Sequence, residues 1–191
     1  MKFNKFKFKS GVEVRNRLIM APMTTFSADE QDYVSDEELA YYRERSKGVG
    51  TVITACAYVS KSGKGFYGQM GIDHDATIPR LTELADVIQA GGAKGVVQLY
   101  HGGRLAVPAL IPNNETFSAS SVTPLLDRGF YSIEQEPTVL TTADVYKIIE
   151  DFAEGTRRAI DAGFDGVELH GASGYLIQQF VSPHSNMESN S

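Results

Sequence analysis

Strand-like and helix-like segments alternate along nearly the whole chain, and this alternation limits the fold more than any other feature. Short apolar runs typical of buried strands occur at 17–20, 52–54, 96–99 and 167–169, and segments with a helical apolar period separate them. A strand followed by a helix and then by another strand is the pattern of a parallel sheet with crossover helices. The sequence therefore predicts an α/β fold with about four βα units.

The intervening segments carry signals for the start of helices. Ser35 with Glu38 three residues later has the spacing of a capping box, and Pro79 suits the first turn of a second helix. Either Thr141 or Thr142 is expected to cap a third helix, whose apolar residues share one face. These signals predict that each strand is followed by a helix that packs on the sheet.

Two parts of the chain fall outside this alternation. Residues 3–14 alternate apolar and polar residues on either side of Ser10-Gly11, which predicts a β-hairpin that caps part of the main sheet. Residues 100–140 contain several prolines and are too long for an ordinary connection, so we expect a lid or a substrate loop.

The number of predicted units is half of what a closed (β/α)8 barrel needs. Such a TIM barrel usually has roughly 250 residues, whereas this chain has 191. We therefore interpret residues 1–191 as one unit, a partial (β/α)8 barrel preceded by a β-hairpin. The short polar end after 182–186 leaves no room for a full crossover helix after the fourth strand, so we expect a truncated barrel.

Composition and charge exclude several classes of function. The net charge is −6, and no block of Lys and Arg is interleaved with aromatic residues, so no nucleic acid partner is expected. No apolar run approaches the roughly 18 residues of a membrane span, which predicts a cytoplasmic protein without membrane contact.

The single cysteine, Cys56, excludes an internal disulfide and is interpreted as a small buried apolar residue. His74 lies between two aspartates in an apparent loop, where it is usually solvated, and no metal is predicted.

Residues suited to a flat ligand follow the first three predicted strands. Parallel α/β sheets place their chemistry at the carboxyl ends of the strands. Residues 21–24 follow the first strand, with a rigid proline that presents backbone and a threonine hydroxyl; Ala55 follows the second, where its small size permits close approach of a ligand. Gln98 in the third strand carries both a hydrogen-bond donor and an acceptor. Taken singly, a threonine in the position of Thr24 more often supplies a hydroxyl to a turn than to a cofactor. A glutamine in the position of Gln98 more often forms hydrogen bonds within the protein.

The fourth predicted strand runs directly into His170, and a turn of small residues leads from there to Tyr175. This order places an imidazole and a phenol together at the carboxyl end of a strand. Both residue types can donate a proton to a reacting group.

Three motifs together resemble the old yellow enzyme family: L-I-M-A-P-M-T at 18–24, V-V-Q-L-Y-H-G-G-R at 96–104 and E-L-H-G-A-S-G-Y-L-I-Q-Q-F at 168–180. S-P-H-S-N at 182–186 extends the similarity, which covers nearly the whole chain in the family's order and spacing. The resemblance implies an FMN-dependent (β/α)8 barrel that takes hydride from NADH or NADPH. It further implies an ene-reductase-type flavoprotein, with an electron-poor alkene or a related small molecule as the electron acceptor.

The same resemblance assigns roles to individual residues. Tyr175 would protonate the substrate, and His170 would orient its oxygen. The position of Ser173 is usually His or Asn in the family, so its shorter side chain predicts a smaller gap, a bound water or a substrate other than an ordinary enone. The residues implied in FMN binding are Ala21, Pro22, Met23, Thr24, Ala55 and Gln98.

Two other readings remain open. The family holds the FMN phosphate with loops from the second half of the barrel, so the alternative is a truncated, non-catalytic half-barrel that has lost this anchor. Its open sheet edges would then favour a homo-oligomer or pairing with a missing C-terminal half. A third reading is a non-redox barrel that binds another flat ligand.

Overall fold

The computed structural model of the chain describes residues 3–124, 126–127 and 132–187. Its helices are α1 (Asp36–Arg45), α2 (Ile78–Ala90), α3 (Thr142–Asp161) and α4 (Leu176–Val181), with short 3₁₀ turns at Lys61–Gly63, Asp75–Thr77, Gly103–Leu105, Pro108–Leu110 and Pro112–Asn114. Its strands are β1 (Phe6–Lys7), β2 (Glu13–Val14), β3 (Ile19–Met20), β4 (Thr51–Tyr58), β5 (Lys94–Tyr100), β6 (Phe117–Ser118), β7 (Leu126–Asp127), β8 (Ser132–Ile133), β9 (Thr138–Val139) and β10 (Gly166–Leu169).

The main sheet has four parallel strands in the order β10-β5-β4-β3. This order across the sheet is also their order along the chain, as in a (β/α)8 barrel, in which each strand lies beside the next. The predicted partial barrel with four βα units is thereby confirmed. All four predicted strands are present, although β4 and β5 extend further than the apolar runs indicated.

Helices α1, α2 and α3 pack on the sheet and bury a large apolar cluster with it. The Thr141 hydroxyl accepts from the Asp144 N–H, and the Asp144 carboxylate accepts from the Thr141 N–H, so α3 begins with a complete capping box. At α1 the box is incomplete. Ser35 Oγ accepts from the Glu38 N–H at 3.1 Å, but the Glu38 carboxylate accepts from Thr25 Oγ1 instead, because that loop lies beside the helix.

The predicted hairpin forms between β1 and β2 and turns at Gly11, whose φ of 93° lies in the left-handed region that favours glycine. Arg15 follows β2, and its guanidinium donates to the carbonyls of Ser46, Val49 and Gly91, which precede β4 and β5. The hairpin therefore caps the amino ends of the strands and leaves their carboxyl ends open.

The two edge strands of the sheet carry exposed apolar side chains. Ile19 in β3 and Leu169 in β10 are each 56% exposed. Beside β10 lies a groove of about 260 Å³ whose lining is entirely apolar, formed by Val145, Ile148, Ile149, Phe152, Leu169, Leu176, Ile177 and Phe180.

The excursion predicted at 100–140 contains three of the short helical turns and the strands β6 to β9. Strand β6 pairs with β9 in parallel, and β7 pairs with β8 in antiparallel orientation. Residues 125 and 128–131 of this excursion, and residues 188–191 of the polar terminus, lie outside the described part of the chain.

None of the helices in the described ranges is long and apolar enough to cross a lipid bilayer. Within the same ranges, His, Cys, Asp and Glu do not gather in groups of three that could hold a metal ion.

A buried ionic cluster ties the loop after β3 to the loop after β4. The Asp32 carboxylate accepts hydrogen bonds from Tyr58 Oη at 2.7 Å, from Lys61 Nζ at 3.0 Å and from Lys64 Nζ at 2.5 Å. Burial raises the pKa of Asp32, but the bonds from these three donors outweigh it and hold the pKa below its usual range. The cluster therefore stabilises the loop that begins at residues 21–24.

We expect Asp32→Asn to lower the free energy of unfolding by about 2 kcal/mol at pH 7, since two lysines lose their carboxylate partner. The folded-state pKa of Asp32 lies below the unfolded-state value of about 3.9. Its contribution is thus complete above that value and is lost as the pH falls through the folded-state pKa. Urea unfolding between pH 7 and pH 2 should show the difference between the two proteins shrinking. The exposed Asp86→Asn serves as control, and a difference that did not change with pH would contradict the assignment.

Candidate active site

A pocket of about 440 Å³ opens at the carboxyl ends of the parallel strands. Its walls come from the segments that follow β3 and β10, together with side chains from β4 and β5. The volume lies in the range of small-molecule and cofactor sites. The lining residues are Ala21, Pro22, Met23, Thr24, Cys56, Gln98, Glu168, Leu169, His170, Gly171, Ala172, Ser173 and Tyr175.

The structure brings eight of the nine predicted site residues to this pocket and leaves Ala55 outside its lining. Successive side chains of a strand point to opposite faces. Ala55 packs into the apolar cluster beneath the helices, and its N–H donates to Tyr42 Oη at 2.6 Å. Its neighbour Cys56 lines the pocket instead, although the sequence assigned it no role.

Two polar side chains from adjacent strands meet in the pocket. Gln98 in β5 is 7% exposed, and its Nε2 donates to Glu168 Oε2 at 3.0 Å. Glu168 in β10 is the direct register partner of Gln98, which explains why both reach the same place. Within the described residues, Gln98 Oε1 has no hydrogen-bond partner.

His170 and Tyr175 lie against each other beside Tyr100. The rings of His170 and Tyr175 are 4.8 Å apart, and those of Tyr100 and Tyr175 are 4.5 Å apart, both edge-to-face. Such pairs contribute roughly 0.5–1.5 kcal/mol beyond the area they bury. The buried Tyr100 ring therefore supports both side chains from below.

The protonation state of His170 follows from its surroundings. Burial lowers the pKa of His170 from its ordinary value and outweighs the opposing effect of the Glu168 charge, so the ring is neutral at pH 7. Nδ1 accepts from the Ala172 N–H at 3.4 Å, which places the proton on Nε2. His170 can therefore donate one hydrogen bond to a ligand oxygen.

Ser173 lies in the turn between His170 and Tyr175 with a φ of 59°, and Gly174 follows with a φ of 77°. A left-handed conformation is uncommon for serine and is tolerated best by glycine and asparagine. This strained turn brings Ser173 into the pocket lining, where its hydroxyl is the shortest of the candidate donors.

Gln179 in α4 holds this turn from behind and is 1% exposed. Its Nε2 donates to the carbonyl of Gly174 at 2.7 Å and to that of Gly102 at 3.1 Å. Its Oε1 accepts from the Arg104 N–H at 3.2 Å and from Ser118 Oγ at 3.1 Å. One side chain thus connects the helix after β10 with the loop after β5.

His101 follows β5 and is fully enclosed. Burial lowers its pKa to about 4, so the ring is neutral. Nδ1 accepts from the Gly103 N–H at 3.1 Å, and Nε2 lies 3.2 Å from Ser62 Oγ. These contacts hold the base of the excursion, and His101 does not line the pocket.

The Cys56 thiol lines the pocket yet is only 6% exposed. Burial raises its pKa to about 12, against a smaller opposing effect of Gln69, whose Nε2 lies 3.4 Å from Sγ. Because the thiolate is the reactive form, we expect iodoacetamide at pH 8 to alkylate the folded protein at least about 100-fold more slowly than the unfolded protein. Mass spectrometry follows this directly, since the chain has one cysteine. Rapid alkylation of the folded protein would contradict the burial of this thiol.

Sequence reasoning missed Glu168 and Gln179 as parts of the site. Glu168 lies two residues before His170, and the period of a strand places it on the side that faces the interior with Gln98. The two-residue spacing between Glu168 and His170 could have been used to predict that both side chains lie on the same face of the strand. The role of Gln179 depends on contacts with Gly102 and Ser118, which are distant in sequence, and no local pattern indicates them.

Comparison with protein families gives a match over the whole chain. The sequence model described as the NADH:flavin oxidoreductase / NADH oxidase family matches residues 2–191. The probable NADH-dependent flavin oxidoreductase YqiG of Bacillus subtilis is 50% identical over 184 residues, which are 96% of this chain and 48% of that protein. The NADH:acrylate oxidoreductase of Vibrio harveyi is 46% identical over 179 residues, which are 94% of this chain and 17% of that protein.

Among solved structures, morphinone reductase in complex with tetrahydroNAD superposes with a TM-score of 0.89 at 25% sequence identity. The superposition covers 99% of this chain and 54% of that one. The chain therefore spans about half the length of YqiG and of this structure, and less of the Vibrio protein.

Proposed function

This chain belongs to the NADH:flavin oxidoreductase / NADH oxidase family, and from that premise we propose that its pocket is the flavin site of an FMN-dependent oxidoreductase that uses NADH or NADPH. One observation carries the proposal: Thr24, Gln98, His170 and Tyr175, which come from three different βα units, line a single pocket. A flat apolar wall opposed by a few polar groups is the usual form of a cofactor site.

The chemistry of the lining fits the group. Residues 21–24 would form the wall along the isoalloxazine ring, and the Thr24 hydroxyl would hydrogen-bond near its O4. Gln98 is nine-tenths buried and retains an acceptor oxygen without a partner in the described residues, which suits the pyrimidine edge. Ala55 is not included in the proposed FMN site, because it lies outside the pocket lining and its side chain packs into the apolar core.

FMN, when bound, supplies hydride transfer. The neutral His170 would donate from Nε2 to the oxygen of the acceptor, together with Ser173, and so stabilise the negative charge that develops there. Tyr175 would donate a proton to the acceptor carbon that does not receive hydride.

We propose electron-poor alkenes as the acceptor class, which makes the protein an ene-reductase. The name of the Vibrio relative, NADH:acrylate oxidoreductase, supports this class, because acrylate is an alkene conjugated to a carboxylate. A carboxylate presents two acceptor oxygens that two donors, His170 and Ser173, would share. A cytoplasmic location is part of the same proposal, since NADH and NADPH are used there.

We also propose that residues 100–140 close over the ligand as a lid, within one unit formed by residues 1–191. The support is their position: the excursion starts at the carboxyl end of β5, where the Tyr100 ring lies 4.5 Å from the ring of the pocket residue Tyr175. Arg104 ties its base to Val122 through a bond of 2.7 Å from Nη1 to the carbonyl.

The apolar groove beside β10 supports a further part of the proposal, that a C-terminal half-barrel of the same family covers this edge. The groove has no polar lining, and Leu169 contributes both to it and to the ligand pocket. Size-exclusion chromatography with light scattering should show association with an added C-terminal half from a relative such as YqiG. A homodimer would instead assign the groove to a second copy of this chain.

Titration with FMN tests the proposal directly. Binding should quench flavin fluorescence, and NADH or NADPH should then bleach the visible flavin absorbance, with recovery on addition of acrylate. Gln98→Leu should weaken binding, whereas Gln31→Leu, at an exposed position outside the pocket lining, should not. A folded protein that binds no flavin would favour the non-catalytic half-barrel, and one that binds flavin without accepting electrons would confine the function to binding.

A further inference from the structure

We propose that Glu168 is a positioning residue that fixes the Gln98 amide, so that the pocket offers a hydrogen-bond acceptor to a ligand edge carrying an N–H donor. The inference rests on the proposed flavin site and deepens it, because it states in which orientation the Gln98 amide meets the pyrimidine edge and which residue imposes that orientation.

The geometry places the two side chains in a fixed relation. Gln98 and Glu168 are register partners on adjacent parallel strands, and Gln98 Nε2 lies 3.0 Å from Glu168 Oε2. Gln98 is only 7% exposed, and both residues line the pocket. The contact is therefore built into the sheet and does not depend on a mobile loop.

The chemistry of the contact removes one of two amide orientations. A carboxylate only accepts hydrogen bonds, whereas a glutamine amide has a donor end and an acceptor end that a half-turn interchanges. Turning the amide would place Oε1 against the carboxylate oxygen, with two acceptors facing each other. Glu168 thus holds the NH₂ end and leaves Oε1 for the ligand.

A fixed acceptor distinguishes between ligand edges. The pyrimidine edge of isoalloxazine carries one N–H, at N3, between two carbonyl groups. Gln98 Oε1 would accept from this N3–H and so disfavour its ionisation. A freely turning amide would donate to the ionised N3 and remove that effect.

Ionisation of N3–H in bound FMN, followed by flavin absorbance between pH 8 and 11, tests the inference. Glu168→Gln preserves shape but allows the Gln98 amide to turn, and it also removes a charge. A double-mutant cycle with Gln98→Met separates these two effects. We expect Glu168→Gln to raise the N3–H ionisation constant about tenfold when Gln98 is present, and less than about threefold beside Gln98→Met.

Two further variants complete the test. Glu150→Gln, on the exposed face of α3, should leave the ionisation constant unchanged. Glu168→Asp keeps a carboxylate that only accepts, and it should stay within about threefold of the unaltered protein. Circular dichroism at each pH checks that every variant is folded, and Glu168→Asp provides a comparison that does not need the Gln98 variant.

The possible results distinguish the positioning role of Glu168 from the proposed flavin site. An equal effect of Glu168→Gln in both backgrounds would assign it to charge alone and overturn the positioning role, while the flavin site would stand. An effect of Glu168→Asp as large as that of Glu168→Gln would also overturn it. Absence of any flavin binding by the unaltered protein would overturn the flavin site, and the positioning role with it.

Discussion

Replacing Tyr175 with phenylalanine is expected to slow reduction of an electron-poor alkene by about 10²- to 10⁴-fold, the usual contribution of a positioned proton donor. The hydroxyl is the only part of the side chain that is lost, and the edge-to-face contacts with Tyr100 and His170 involve the rings, which remain. Stopped-flow absorbance should show normal bleaching of bound flavin by NADH or NADPH and slow recovery with acrylate. The substitution should lower the rate constant of the chemical step and leave the affinity for the acceptor nearly unchanged.

The matched control is Tyr146→Phe, which removes a phenolic hydroxyl from the exposed face of α3, where Tyr146 is 69% exposed. It should leave both phases unchanged. A quinone acceptor gives a second control, because its oxygens take up protons readily from water. Normal alkene reduction by Tyr175→Phe would assign proton delivery to another group, and His170 would be the next candidate in the pocket.

Features with a local physical cause were predictable from the sequence. Apolar runs of strand length and the caps at Ser35 and Thr141 indicated the βα alternation, and both threonine and serine caps are present. Strand ends also indicated the pocket, because the carboxyl ends of parallel strands meet at one edge of a sheet. For this reason the order of residues along the chain was enough to group Thr24, Gln98 and Tyr175.

Features that depend on packing were not predictable in this way. Ala55 and Cys56 are adjacent, and only the actual pairing of β4, with a register shift between Ile53 and Cys56, decides which of them faces the pocket. The incomplete capping box at α1 has the same origin, since Thr25 from another loop takes the Glu38 carboxylate. Long-range partners override local patterns wherever a polar side chain has more than one acceptable neighbour.

Replacing Gln179 with alanine is expected to destabilise the folded protein strongly. The side chain is buried, and its removal leaves two carbonyls, the Arg104 N–H and the Ser118 hydroxyl without their hydrogen bonds. At about 1 kcal/mol or more for each buried group that loses its partner, the free energy of unfolding should fall by roughly 3–5 kcal/mol. Urea unfolding followed by far-UV circular dichroism measures this loss.

The position of Gln179 predicts a functional effect in addition to the loss of stability. Its bond to the Gly174 carbonyl holds the residue before Tyr175, so Gln179→Ala should also weaken binding of the acceptor at temperatures where the protein stays folded. Gln179→Glu keeps an acceptor oxygen but sets a buried carboxylate oxygen against the Gly102 and Gly174 carbonyls, so it should destabilise the protein at least as much as alanine at pH 7. Gln31→Ala, at an exposed position outside the pocket lining, should change neither property. If Gln179→Ala unfolded at the same urea concentration as the unaltered protein, the four hydrogen bonds would not connect α4 to the loop after β5, and Tyr175 would be positioned by its ring contacts alone.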